Sequence, residues 1–378
     1  MKIIIAPDSF KGSLSALDVA EAINQGVEEL FPDATIVKIP LADGGEGTVQ
    51  CMVDATGGEI RKEKVYGPLG DEVFASYGIL GDRKTAVIEM AEASGLTLIP
   101  KNKRDPLVTT TYGTGQLIQA ALNQNCRKMI IGIGGSATND GGAGMAQALG
   151  VKLLDREGKE IGWGGRELQR IERIDLESID PRIKTTQVLV ASDVTNPLCG
   201  PRGASHVYGP QKGATPEMVE ELDKALHHFA LIIKRDLGKE VSDIPGAGAA
   251  GGLGAGLIAF LNAEIKPGIE VVMKAVRLEE NLKHADLVIT GEGKIDRQTI
   301  YGKAPIGVAK IAKKYNIPVV AIAAILSDDA QVVYQHGIDI LVKVSDPPMS
   351  LTETRENKMQ LIKKRIRQAL TENLKNLF

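Results

Sequence analysis

Cysteine is scarce and poorly placed for any covalent or metal framework. The 378-residue chain carries three, Cys51, Cys126 and Cys199. An odd, widely spaced set fits neither a disulfide scaffold nor a metal-ligand spacing, and reduced thiols in the cytoplasm are expected. An excess of one charge sign is missing too, since the net charge is -3. The one dense basic run, Lys363-Lys364-Arg365 with Arg367, falls on the solvated face of an amphipathic C-terminal pattern, so nucleic acid is not an expected partner. No apolar run reaches membrane-spanning length, and Ile3-Ile4-Ile5 is interrupted by Pro7-Asp8 before it could form a signal segment, so no membrane contact is expected. The histidines (His206, His227, His228, His284, His336) show no ligand spacing. Trp163, the single tryptophan, stands among glycines and reads as a packing residue. No G-x-x-x-x-G-K-[ST] occurs, which excludes a P-loop.

What is present is the make-up of an ordinary globular protein, 43% hydrophobic and 25% charged, at a length that predicts two domains. Lys2 to Ala6 reads as a buried strand. A loop to Ser13 follows, then a helix opened by Ser15, with Asp18 completing a capping box. Thr35 to Ile39 is a second strand, ending in Ala42-Asp43-Gly44-Gly45-Glu46-Gly47 before another helix. The last third alternates again, with strands at Leu287 to Thr290, Val319 to Ala323 and Ile338 to Val344, and a closing helix at Thr352 to Leu374. Between them, Lys62 to Val65, Val73 to Leu80 and Thr85 to Met90 are consecutive strands, which predicts antiparallel pairing and a different unit. The expectation is an α/β chain. A doubly wound parallel-sheet domain is built from residues 1–60 and 285–378, with a second α/β domain, 61–284, inserted.

The richest stretch runs from Lys128 to Asp155. A strand leads through Gly134, Gly135 and Ser136 to the polar step Thr138-Asn139-Asp140, then to Gly141-Gly142 and a helix. Such a loop can bring backbone N–H groups to an anion. Gly132, Gly134 and Ala137 also fit a dinucleotide fingerprint, with Asp155 about twenty residues on as the ribose ligand, which would suit an NAD-linked dehydrogenase. The residues after the glycines resist helix, so a phosphate or substrate loop of another kind fits better. Asn139 or Asp140 capping the next helix is the competing structural reading. A second glycine run, Gly246 to Gly256, has no strand before it and reads as a helix packed close to a neighbouring backbone.

Carboxylates recur after strand ends: Asp8, Asp43, Asp140, Asp193, Glu292 and Asp296. Lys11, Lys212, Lys294 and Lys303 stand near them. Phosphoryl transfer uses this set: cations and backbone N–H groups for phosphate, carboxylates for Mg²⁺, and one carboxylate for the acceptor's proton.

Six segments, Ala6 to Gly12, Ala42 to Thr48, Gly132 to Gly142, Asp193 to Gly200, Tyr208 to Gly213 and Thr290 to Asp296, resemble in kind and order those of the type I glycerate kinases. The resemblance spans nearly the whole chain. It implies a flavodoxin-like domain with an inserted α/β domain, and phosphorylation of D-glycerate by ATP at the 2-hydroxyl, glycerate 3-kinase being the alternative within that chemistry. The active site is expected in the interdomain cleft. On this reading Lys11 neutralises phosphate, Asp8 and Asp43 hold Mg²⁺, and Asp193 is the base, with Asp296 its rival. Ser9, Gly44, Gly45, Glu46, Gly134, Gly135, Ser136, Asn139, Asp140, Gly291, Glu292 and Gly293 approach nucleotide or substrate, and Lys212 or Arg297 takes the glycerate carboxylate. One departure stands out: Ala324-Ile325, expected just past a strand end, replaces the Gly-Ser that members of the family usually carry.

Overall fold

The computed structural model describes residues 1–45, 47–344, 350 and 352–377. Its contacts divide the chain into two units. The first comprises 1–43, 50–57 and 269–378, the second 44–49 and 58–268.

The first unit is built on a five-stranded sheet. Its order is Ile340–Lys343, Val319–Leu326, Leu287–Ile295, Lys2–Pro7, Thr35–Lys38, and every pairing is parallel. Counted along the chain this is the order 2-1-3-4-5 of flavodoxin-like sheets, which reverses between the first and third strands. The inner strands Lys2–Pro7, Leu287–Ile295 and Val319–Leu326 are largely buried because helices cover them, while the edge strand Thr35–Lys38 is half-exposed. Ile3, Ile5 and Ile289 share a core with Val19, Ile23 and Val27 of the helix Ala16–Glu28 and with Ile362, Ile366 and Leu370 of the helix Arg355–Leu377. The helix Ala304–Lys313 packs on the strand Leu287–Ile295.

Ser15 caps its helix by accepting from the Asp18 amide at 3.1 Å. The Asp18 carboxylate does not complete the box, because it is paired with Arg355. The expected loop at Ala324-Ile325 is also corrected. The strand runs on to Leu326, Ile325 pairs with Lys294, and Ala324 is buried in the core. The apolar run Val319 to Leu326 is unbroken up to Ser327, and the strand follows it to its end.

The second unit holds a six-stranded mixed sheet in the order Glu264–Lys266, Gln187–Ala191, Lys128–Gly132, Thr85–Glu89, Glu72–Ile79, Glu59–Tyr66. The expected antiparallel run is present from 59 to 89, and the remaining pairings are parallel. Leu117, Ile118 and Ala121 of Tyr112–Asn123 and Leu226, Phe229 and Ile233 of Pro216–Leu237 belong to its core. Trp163 packs with Tyr66 and Tyr112, ring centroids 5.3 and 4.7 Å away, as a packing residue should.

The second glycine run is only partly helical. Residues 246–252 are turns, and the helix is Leu253–Leu261. The turns lie against the backbone of the 138–142 loop. The Gly141 amide donates to the Gly251 carbonyl at 3.0 Å. A Cβ on Gly251, at φ +69°, would sit 1.9 Å from the Thr138 carbonyl oxygen. Gly238, the left-handed cap of Pro216–Leu237 at φ +68°, has nothing among the described residues within 4 Å of such a Cβ. Both positions carry the same left-handed strain, about 1–2 kcal/mol for alanine, but only Gly251 adds a backbone collision. Gly251→Ala should therefore destabilise by at least about 2 kcal/mol more than Gly238→Ala in urea unfolding. Equal losses would show that the two loops separate freely.

Candidate functional site

In the first unit, three carboxylates stand at the C-terminal ends of three adjacent parallel strands. Asp8 follows Lys2–Pro7, its amide bonded to the Gly291 carbonyl at 2.8 Å. Asp43 follows Thr35–Lys38, whose extended course continues through Leu41, bonded to the Pro7 carbonyl. Glu292 lies on Leu287–Ile295. This is the point where the strand order reverses, and ligands of open α/β sheets bind there.

The electrostatics are crowded. Burial, with the charges of Asp43 and Glu292 added, pushes the Asp8 carboxyl up to about 7 against its Ser9 amide bond and Lys11. Lys11 donates to Asp43 at 2.5 Å. Its partial burial works against the ammonium, but Asp43, Asp8 and Glu292 outweigh this and raise its pKa. Glu292 is also raised, by burial, although it accepts from Thr299 Oγ1 at 2.6 Å and pairs with Lys303 at 3.2 Å. Asp296 is different. It caps the short turn Arg297–Tyr301, accepting from the Gln298 amide, and pairs with Lys294 at 3.0 Å. Partial burial would raise it, but these partners hold it below its ordinary range.

The other expected residues of this unit divide. Ser9 is half-buried beside Asp8, and Arg297 is exposed. Gly291 is sealed within the sheet, where a Cβ would meet Ile322. Gly293 is half-buried, and a Cβ there would lie 3.3 Å from Phe10. Glu46 lies outside the described residues. Among the described residues no group of three or more His, Cys, Asp or Glu side chains is spaced as a ready-made metal cage.

In the second unit, Gly134 and Gly135 are exposed at the tip of their loop, but the polar step behind them turns inward. Asp140 is fully buried. It accepts from the Thr111 amide and hydroxyl, both at 2.8 Å, and from the Gly142 and Gly144 amides, both at 3.2 Å. Burial raises its pKa against those four bonds. Asn139, also fully buried, donates to Ser205 at 3.0 Å. Capping and loop anchoring are therefore what these two side chains do here, and neither presents a surface to a ligand. Gly44 is buried against Ala191 and Gly268, and the Gly45 carbonyl accepts from the Thr48 hydroxyl.

Lys212 is a correction. Expected to meet a substrate carboxylate, it is 1% exposed. Its ammonium donates to Ser136 Oγ at 2.7 Å and to the Thr138 carbonyl at 2.6 Å. It is a strut beneath the Gly134-Gly135 tip. Burial, opposed only by Asp140, pushes its pKa down to about 7.

The dinucleotide reading also fails on geometry. The strand Lys152–Leu154 pairs antiparallel with Arg173–Asp175 in a separate two-stranded sheet, so it is no second strand of a βαβ unit. Asp155 is occupied by the Glu157 and Lys159 amides and by Arg170 at 2.9 Å.

Asp193 follows the strand Gln187–Ala191, is exposed, and accepts from the Gly268 amide at 2.9 Å. Its loop is held from behind. Gly248 donates to the Asn196 carbonyl at 3.0 Å, Asn196 Nδ2 donates to the Arg202 carbonyl at 2.8 Å, and the Tyr208 hydroxyl donates to Asn196 Oδ1 at 2.6 Å. A cavity of about 410 Å³ opens beside this loop, lined by Thr195, Asn196, Pro197, Arg202, Asp243 and Pro245. The sequence reading missed Arg202, Asp243 and Thr299. Arg202 had a signal, as a lone arginine between Pro201 and Gly203 in a loop after a strand end. Asp243 had none, because only the fold brings it there.

Comparison with known proteins agrees over the full length. The profile of the Glycerate kinase family matches residues 3–373. The chain is 60% identical to the glycerate 2-kinase of Escherichia coli K12, covering 91% of this chain and 90% of that one. It is 58% identical to the glycerate kinase of Halalkalibacterium halodurans, covering 97% and 96%. A crystal structure of a presumed glycerate kinase 2 from Salmonella typhimurium LT2 superposes with a TM-score of 0.92 at 52% identity, covering 100% of both chains.

The Lys212 strut has a measurable signature. Unfolded, this lysine titrates near its ordinary value of 10.5; folded, near 7. Between those values the unfolded chain binds a proton that the folded chain does not, so wild-type stability rises with pH across that window, by up to about 1.4 kcal/mol per pH unit. Lys212→Met lacks this contribution. The wild type's advantage over the variant should widen from pH 7 to pH 9 in urea unfolding, and parallel curves would mean that the buried amine stays charged.

Proposed function

The chain belongs to the glycerate kinase family, and on that premise we propose that it transfers the γ-phosphoryl group of ATP to the 2-hydroxyl of D-glycerate, giving 2-phosphoglycerate. The observation that carries this is the 60% identity, across nine-tenths of both chains, to a protein named glycerate 2-kinase. The three cysteines, present as thiols, fit a reducing compartment, and we place the reaction in the cytoplasm. No helix among the described residues is long and apolar enough to cross a membrane.

Phosphoryl transfer is mostly positioning and charge neutralisation. Lys11, with its ammonium held charged among carboxylates, neutralises a transferring phosphate. Mg²⁺ asks for one or two carboxylates, with phosphate and water oxygens completing its shell. Asp8 and Asp43 supply two, on neighbouring strands, and their mutual repulsion is what a divalent cation relieves. Those two residues would hold the ion, which supplies charge neutralisation at the phosphates.

The acceptor hydroxyl must lose its proton as its oxygen bonds to phosphorus and ADP departs. Asp193 takes that proton. It is exposed, at a strand end, on a loop fixed by backbone bonds. Its rival Asp296 is spent on a cap and an ion pair, and its lowered pKa makes it the weaker base.

A coupled assay with ATP, Mg²⁺ and D-glycerate, with product position read by phosphorus NMR, tests the reaction. ADP should form only when glycerate is present, and the product should be the 2-phosphate. A 3-phosphate product would transfer the assignment to the other hydroxyl. Asp193→Asn should fold normally and lower kcat by about 10²- to 10⁴-fold, whereas a near-wild-type rate would remove Asp193 as base.

A further inference from the structure

We propose that Arg202 binds the carboxylate of the acceptor, with Asp243 accepting a hydrogen bond from one of its hydroxyls, so that the cavity beside the Asp193 loop is the acceptor's specificity pocket. The proposal rests on the kinase reading above and names where the small acid is held.

A small hydroxy acid presents one carboxylate and neighbouring hydroxyls. Its site needs one cation in a planar, two-pronged geometry and at least one acceptor. The two cations expected for this task do not serve equally. Lys212 is sealed beneath its loop, and two of its donors are bonded to Ser136 and Thr138. Arg297 is exposed and follows Asp296, whose carboxylate is already taken by the Gln298 amide and Lys294.

Arg202 meets the requirement. Its side chain is exposed and lines the cavity, and among the described residues no carboxylate lies within 4 Å of its guanidinium. Asp243 lines the same cavity and is equally without an ion-pair partner among the described residues. One cation and one acceptor in one cavity are complementary to a hydroxy acid, and poorly matched to a dianionic phosphate, which Asp243 would repel.

The pocket is also pre-formed. Asn196 has both ends of its amide committed, one to Tyr208 and one to the Arg202 carbonyl. Gly248 and Ser242 bond the backbone at Asn196 and Leu198. A Cβ on Gly248 would stand 2.1 Å from the Pro197 carbonyl oxygen, so the loop rests directly on the glycine turns. Little ordering remains to be done when an acid enters.

The test uses the full-length enzyme and three variants, Arg202→Met, Arg202→Lys and Asp243→Asn. Steady-state constants are measured for D-glycerate and ATP, and D-glycerate binding is measured directly by calorimetry. Arg202→Met should raise both KM and the calorimetric Kd for D-glycerate about 10- to 100-fold, the usual worth of a charge-assisted pair, and leave KM for ATP within about 2-fold. Arg202→Lys should fall between wild type and Arg202→Met, because it keeps the charge and loses the fork. Against glycerol, which lacks the carboxylate, the preference for glycerate should shrink by the same factor. Asp243→Asn should weaken glycerate without affecting ATP. An unchanged glycerate KM and Kd in a folded Arg202→Met overturns the proposal, as does a parallel rise in KM for both substrates. Wild type that neither binds nor phosphorylates glycerate instead overturns the kinase reading, and the two failures are distinguishable in the same experiment.

Discussion

The second unit depends on one close approach: the turns at 246–252 lie backbone to backbone on the loop 138–142. The Gly141 amide bonds to Gly251, and there is no room for a Cβ at Gly251. Two loops fixed in this way pass their positions on. Gly248, on the same run of small residues as Gly251, supports the Asp193 loop from behind through Asn196 and Pro197. Asp140, fastened to Thr111 and to the start of the helix Ala143–Ala148, fixes the other side. The glycines here are a packing device before they are anything else, since only backbone with no side chain can be brought this near other backbone.

The two units handle charge in opposite ways. In the first, Asp8, Asp43 and Glu292 are brought together with Lys11 and Lys303 and left partly frustrated, with two of the three carboxyls held above their ordinary range. In the second, Asp140 and Lys212 are removed from solvent and surrounded by neutral hydrogen-bonding groups. Crowded like charges attract cations. Buried, hydrogen-bonded groups fix geometry and resist change. Titratable residues at strand ends can thus have either character, and residue type alone does not distinguish them.

That distinction marks how far the sequence could be read. Strand-loop-helix alternation at both ends of the chain predicted the five parallel strands, and all five pair as parallel neighbours. The antiparallel run between them was legible from consecutive strands. The short strand Glu264–Lys266 was not, because three residues are too few for a period to register. The carboxylates of the first unit could be foreseen because each follows an apolar run directly. The capping by Asp140 was one of two readings the sequence left open, but the burial of Lys212 could not be foreseen, because Ser136 and Thr138 decide it and no periodicity connects them to it. Arg202 went unnoticed for the reverse reason: it sits in an irregular loop whose cavity is completed by Asp243, some forty residues later in the chain.

The pairing of Lys2–Pro7 with Leu287–Ile295 bears on the order in which the protein is made. Ile3 lies beside Leu287 in the sheet, so the first strand leaves the ribosome long before its inner neighbour exists. At about 5–20 residues per second, the interval is on the order of 15 to 60 s. The contiguous stretch 58–268 can complete its own sheet within that time, while the apolar strand Lys2–Pro7 waits with an open edge. Synthesis therefore imposes a sequence of events in which the middle of the message matures first and the beginning is finished last. The nascent chain's early hydrophobic segment is the part most in need of a chaperone's shelter.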